Sequence, residues 1–170
     1  MGEKKKILLK SVAVENFGGI ANGTYFFDLD TNSVVAGASG NGKSTCYFAY
    51  LWALGFNVQG WETQLNGYRL HKKDTKVEIV LRDSTNNLEY IITKTNKPKY
   101  KVDKFTGDEQ YSSNEYKYFI DNIELPQKEF VARIEQIFGL DYLTLELMSN
   151  LKKFNSEEST RWNKELRRKF

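Results

Sequence analysis

Gly37-Ala38-Ser39-Gly40-Asn41-Gly42-Lys43-Ser44 is the stretch on which the reading of this chain turns. It has the form G-x-x-x-x-G-K-[S/T], and each fixed position answers a demand of phosphate chemistry. Glycine lets backbone N–H groups crowd around phosphate oxygens in conformations that a Cβ forbids. The lysine ammonium reaches the β- and γ-phosphates as a point charge, and the hydroxyl after it ligates Mg²⁺. A helix starting at about Lys43 aims its N-terminal dipole at the same anion. The expected binding set for a nucleoside triphosphate is therefore Gly37, Ala38, Ser39, Gly40, Asn41, Gly42, Lys43, Ser44 and Thr45. Ser44 is the expected Mg²⁺ ligand.

Val34-Val35-Ala36, just before the loop, reads as a short apolar strand feeding it. After it, Cys46, Phe48, Ala49, Leu51, Trp52 and Leu54 suit a largely buried helix that Gly55 stops. Upstream, residues 6–15 read as a strand, 16–23 as turn chemistry and 25–29 as a second short strand. Downstream, residues 77–81 alternate, 83–87 turn, and 88–93 return, which predicts a hairpin. Short strands are expected at 100–102 and 116–120, with exposed loops at 105–108 and 112–114. Pro126 opens a helix whose apolar stripe is Phe130, Ile134, Ile137 and Phe138, closed by Gly139. Another helix is expected from Asp141 to about Leu151. In the last segment, Asn155 and Glu158 resemble a capping box, and Trp162, Leu166 and Phe170 recur every four residues on an amphipathic helix.

Bulk composition narrows the classes. At 170 residues, 40% hydrophobic and 28% charged, the chain is long enough for one folded domain and too apolar for a disordered one. No run approaches the ~20 apolar residues of a membrane span, and the lysines at 4–6 precede no signal-peptide core. One cysteine, Cys46, allows no internal disulfide, and the expected compartment is the cytoplasm. With one histidine, His71, the chain cannot assemble a zinc site of Cys and His ligands. Net charge is +3. Lys94, Lys97, Lys99, Lys101 and Lys104, with Tyr100 and Phe105 among them, form a basic stretch suited to phosphate backbone or to a solvated hairpin rim. Arg167-Arg168-Lys169 reads as a contact for DNA or for a partner at the base of a coiled coil, or as a solvated face.

Binding a nucleotide and hydrolysing it are separate matters. Hydrolysis in such sites calls for an acid at the end of a second apolar strand. No segment here has four apolar residues followed by Asp or Glu, so the chain carries half of an ATPase site.

With these segments in hand, the chain resembles the N-terminal lobe of the SMC/SbcC/RecF group of ABC-type ATPases, which act in DNA recombination, repair and chromosome maintenance. The residues that carry the resemblance are Asn16-Phe17 followed by Gly19-Ile20, the loop Gly37 to Thr45 with its Asn41-Gly42 step, and Trp52-Ala53-Leu54-Gly55-Phe56. Ile137-Phe138-Gly139-Leu140-Asp141-Tyr142 follows, and then Phe154 ahead of Arg161. The resemblance implies ATP as the nucleotide, with Mg²⁺. It also implies a C-terminal ATPase lobe carrying the signature loop and the Walker B acid, a homodimeric head, DNA, a nuclease subunit, and no membrane. The family's glutamine near 147–150 is absent, and Asn150 is the weak substitute as a metal contact. Gly18 stands where many relatives have Arg or Lys.

The expected fold is thus an α/β P-loop NTPase, a mixed sheet with an antiparallel β meander and flanking helices, like the N-terminal lobe of an ABC/SMC head. Residues 1–154 are the expected nucleotide-binding lobe with the Walker A loop, and 155–170 an amphipathic helix, the candidate start of a coiled coil. Two other readings stay open. One is a stand-alone nucleotide-binding regulator or head mimic without turnover; the other is a small P-loop kinase. The first reading expects the gene to continue past Phe170 into heptads, and the regulator reading expects a stop there.

Overall fold

In the segment Thr75-Lys76-Val77-Glu78-Ile79-Val80-Leu81-Arg82-Asp83, every odd-numbered residue is buried and every even-numbered one half-buried. A strand places successive side chains on opposite faces, so this segment is a strand with one dry face. The computed structural model describes residues 6–31, 33, 35–36, 42–58 and 73–149. Within them the chain runs β1 (Ile7–Phe17), β2 (Ile20–Phe26), α1 (Lys43–Ala53), β3 (Thr75–Asp83), β4 (Leu88–Val102) and β5 (Glu109–Ile120). β6 (Ile123–Leu125), α2 (Gln127–Phe138) and α3 (Tyr142–Ser149) follow. The strands form one sheet in the order β2-β1-β3-β4-β5-β6, and every pairing is antiparallel.

This corrects the expected fold class. A P-loop NTPase has a parallel-strand core with flanking helices, whereas the described residues form a six-stranded antiparallel sheet with few helices, a mostly β fold. The physical reason lies in the connections. β1–β2, β3–β4, β4–β5 and β5–β6 are joined by short turns, which can link only antiparallel neighbours, because a parallel pair needs a crossover of a dozen or more residues. The one connection long enough for a crossover, from β2 through α1 to β3, sets β3 beside β1 in the antiparallel sense. The strand expected at residues 34–36 is not seen: Val35 and Ala36 lie outside any strand, and Val34 lies outside the described residues.

The dry face of the sheet carries Val12, Val14, Val77, Ile79, Leu81, Ile92 and Ile120, in a register that places Val12 opposite Ile79 and Ile79 opposite Ile92. Leu51 and Trp52 of α1 pack on it from above, both without exposure, and Phe130, Ile134 and Ile137 of α2 pack beside them. Each such side chain contributes about 1.5–3 kcal/mol of burial. The other face is wet and charged: Lys76 bridges Glu15 at 3.9 Å and Glu78 at 3.3 Å.

Candidate functional site

α1 is a poor helix by intrinsic preference. Thr45, Cys46, Tyr47, Phe48, Tyr50 and Trp52 all rank low, so packing on the sheet holds it. Its N-cap is Gly42 at φ 82°, a left-handed conformation that glycine adopts without strain. A Cβ there would meet Ile20 Cδ1 and Tyr25 Oη, each at 3.0 Å. Tyr25 also donates a hydrogen bond to the Gly42 carbonyl at 3.4 Å. β2 therefore forms a wall against the start of α1, and only glycine fits between them.

The helical ladder begins with Cys46 N–H to the Gly42 carbonyl at 3.0 Å. The N–H groups of the first turn precede that bond and point toward the helix start. The first turn holds no acidic side chain, and Gly42 supplies no capping side chain. The positive end of the helix dipole therefore lies at Lys43 and Ser44. Ser44 is exposed and Lys43 half-buried, while Thr45 is turned into the core at 6% exposure. Of these two hydroxyls, that of Ser44 faces solvent and that of Thr45 the core.

Lys43 and Ser44 lie on the rim of an open cleft of about 590 Å³, lined further by Leu9, Phe27, Val35, Cys46, Tyr47, Phe48 and Tyr50. This is the size and the mainly apolar character of small-molecule sites. Burial pushes the Cys46 thiol up to about 11. Burial, with Cys46 nearby, also raises Tyr25.

Of the expected binding set, Gly42, Lys43, Ser44 and Thr45 lie at the N-terminal end of α1. Gly37, Ala38, Ser39, Gly40 and Asn41 lie outside the described residues, as do Asn150, His71 and the helix expected at 155–170. Sequence reasoning missed Ile20, Tyr25, Tyr47 and Tyr50 as neighbours of the site. The available signal was the phenols in α1 at i and i+3, where a purely structural face takes Phe or Leu. Among the described residues no group of three or more His, Cys, Asp or Glu is placed to hold a metal.

The basic stretch divides in two. Lys94 points into the core at 3% exposure, its ammonium 4.5 Å from the Trp52 ring centroid and 5.0 and 5.4 Å from those of Tyr116 and Tyr118. Lys97, Lys99 and Lys101 follow on the opposite, exposed face. β3 pairs with β4 only as far as Asn96, so among the described residues β4 and β5 continue from there as a two-stranded ribbon. Lys99 pairs with Glu115 at 2.8 Å. The Lys99 bond and charge, with Lys117 and Lys97 adding, hold the Glu115 carboxyl below its ordinary range. At the ribbon tip Phe105 is fully exposed.

Compared with known proteins, the chain matches no family model and no curated protein. No helix among the described residues is long and apolar enough to cross a membrane.

Proposed function

We propose that this chain binds Mg²⁺–ATP with the triphosphate on the N-terminal end of α1. The observation that carries the reading is Gly42, held at φ 82° between α1 and the wall of Ile20 and Tyr25, in register with a full G-x-x-x-x-G-K-S motif. The conformation leaves first-turn N–H groups, the Lys43 ammonium and the Ser44 hydroxyl at one place. Lys43 offsets charge on the outer phosphates. Ser44 is the residue that would hold Mg²⁺, which when bound neutralises phosphate charge and orients the outer phosphates. The apolar cleft beside them offers Phe27 and Tyr47 as surface for the nucleoside.

The resemblance extends the reading to one part of a composite SMC/SbcC-like ATPase, whose catalytic acid comes from a complementary lobe. The lysine face of the β4–β5 ribbon supports the DNA part of that reading. The decisive experiment is calorimetry of Mg²⁺–ATP on the chain, with Lys43→Ala beside it and phosphate release followed in parallel. Deleting a charge-assisted contact should weaken binding roughly tenfold or more, with no turnover by the chain alone. Binding indifferent to Lys43, or brisk turnover, would sink the reading.

A further inference from the structure

β2, Ile20-Ala21-Asn22-Gly23-Thr24-Tyr25-Phe26, alone among the six strands carries no charged residue, and it has no proline. It is also an outer strand, paired with β1 and with no other strand among the described residues. The bond from Phe27 N–H to the Lys10 carbonyl at 2.9 Å shows which of its groups look outward. Lys10 and Phe27 continue the β1–β2 register as a hydrogen-bonded pair, and in an antiparallel ladder such pairs alternate with non-bonded ones. Tyr25 and Gly23 therefore turn their N–H and C=O groups to β1, while Asn22, Thr24 and Phe26 turn theirs away from the sheet. All three residues are exposed, Phe26 at 79%. The open run ends at Asp28, whose N–H donates to Ser33 Oγ at 3.1 Å.

A row of outward N–H and C=O groups is a template for a further strand, and charge, proline or a bulge ordinarily blunts it. The other edge of the sheet has such devices: β6 is three residues long, carries Glu124 and runs into Pro126. β2 has none of them, and its register with β1 shows no shift. We propose that β2 is a self-association seam, on which a second copy of this chain pairs antiparallel about a two-fold axis at Thr24. Two observations select a second copy. An uncharged strand laid against itself opposes no like charges. A chain with one open edge closes after two copies, because the pairing consumes both open edges. In this register Thr24 faces Thr24 of the other copy and Asn22 faces Phe26, so every outward group is used, about six hydrogen bonds in all. The Phe26 ring then lies diagonal to Thr24 across the seam, within reach of it. Asn22, Thr24 and Phe26 touch neither Gly42 nor the cleft beside α1, so the association needs no nucleotide.

The test is sedimentation velocity of the whole chain without nucleotide, over roughly 1–300 µM, with Thr24→Pro and Thr24→Lys beside it. The parent should pass from monomer to dimer with a Kd in the micromolar range. Thr24→Pro deletes an outward N–H that the monomer's sheet does not use, so its urea midpoint should stay near the parent's while the dimer is lost. Thr24→Lys sets two ammonium groups across the axis and should weaken association roughly tenfold, and it carries the test if proline disturbs the strand. Cysteine pairing on a Cys46→Ala background reads the register. Residues in a hydrogen-bonded pair lie about 5.5 Å apart at Cα, within disulfide reach, so Thr24→Cys should cross-link on mild oxidation. Asn22→Cys, whose two copies stand about 13 Å apart, should not. Dimers of both Thr24→Pro and Thr24→Lys as tight as the parent's overturn the seam. So does a parent that stays monomeric, which would leave β2 to a strand of another protein, and so does one that grows past two copies. Equal cross-linking at positions 22 and 24 overturns the register and the axis with it.

Discussion

The ammonium of Lys94 sits 4.5 Å from the centre of the Trp52 ring, inside the core and with Tyr118 directly across the sheet. A cation in such a place is held by the negative faces of the rings, a contribution of about 0.5–2 kcal/mol. Its four-carbon stem also fills volume. Lys94→Met keeps the stem and loses the charge, so it should cost roughly 0.5–2 kcal/mol in urea denaturation. Lys94→Ala also opens a cavity and should cost about 2–5 kcal/mol. Equal losses would show that the charge matters and the stem does not.

Gly42 is closed to substitution twice over, by its φ of 82° and by Ile20 and Tyr25 at 3.0 Å from any Cβ. Gly42→Ala should lower stability by on the order of 1–2 kcal/mol and weaken nucleotide binding as well. The companion variant Gly107→Ala, at φ 77° with open space around it, should cost backbone strain alone and leave binding unchanged. A Gly42→Ala protein that binds nucleotide like the parent would mean that the start of α1 does not set the site.

Alkaline pH should unfold the chain in a defined order. Burial raises Cys46 from 9.0 to about 11 and Tyr50 from 10.0 to about 12, and raises Tyr142 further. The native state then holds each proton more tightly than the unfolded chain does. Their contribution is complete below about pH 9 and is lost as pH rises through the folded values. Urea midpoints should be flat up to pH 9 and fall from there to 11, and Cys46→Ala should flatten the first part of that fall. A decline that starts below pH 8 would point to other groups.

Lysines two apart on one strand face recur every ~6.7 Å, close to the axial spacing of every second phosphate on one strand of a duplex. If the ribbon meets DNA, its affinity for a labelled duplex should fall steeply with salt. Replacing Lys97, Lys101 and Lys104 with Gln should lower the slope of log K against log salt by about 2–3. Glu115→Gln should tighten binding, since it removes the carboxylate that competes for Lys99. An unchanged slope in the triple variant would remove the ribbon from the DNA reading.

The hairpins were legible because their signals are local. The alternation from Val77 to Leu81 and the turn after Asp83 are visible in a dozen residues, and so is the stripe of Phe130, Ile134 and Ile137. The sheet's character was not legible, because strand direction depends on which distant segment a strand meets. Asn22-Gly23 reads as a turn by composition, yet it lies inside β2, where pairing with Glu15 and Val14 overrides local preference. Ser112-Ser113-Asn114 reads as a loop and is part of β5, bulged opposite the step from Lys99 to Tyr100. At the candidate site, the start of α1 at Lys43 was readable from spacing. The wall of Ile20 and Tyr25 was not, because nothing in the sequence says that β2 folds back over the glycine. Lys94 looked like a surface charge because Lys97, Lys99 and Lys101 follow it at alternating positions, while Lys94, three residues before Lys97, lies on the opposite face of β4.

The sheet order also bears on how the chain reaches its native state. β3, β4, β5 and β6 are joined by tight turns, and so are β1 and β2, so each group can form from contacts between near neighbours in sequence. The seam between β1 and β3 is different: Val12 meets Ile79 only after the long α1-bearing segment has closed into a loop. Closing that loop costs entropy before the seam returns any contacts. We therefore expect the late step of folding to be the joining of two preformed hairpin groups along this seam. Ile92→Val should then slow refolding, while Val12→Ala should chiefly speed unfolding, in stopped-flow chevrons. A protein built this way would carry its rate-limiting step beside α1, and a ligand held by α1 during refolding would act on the joined state rather than on the hairpins.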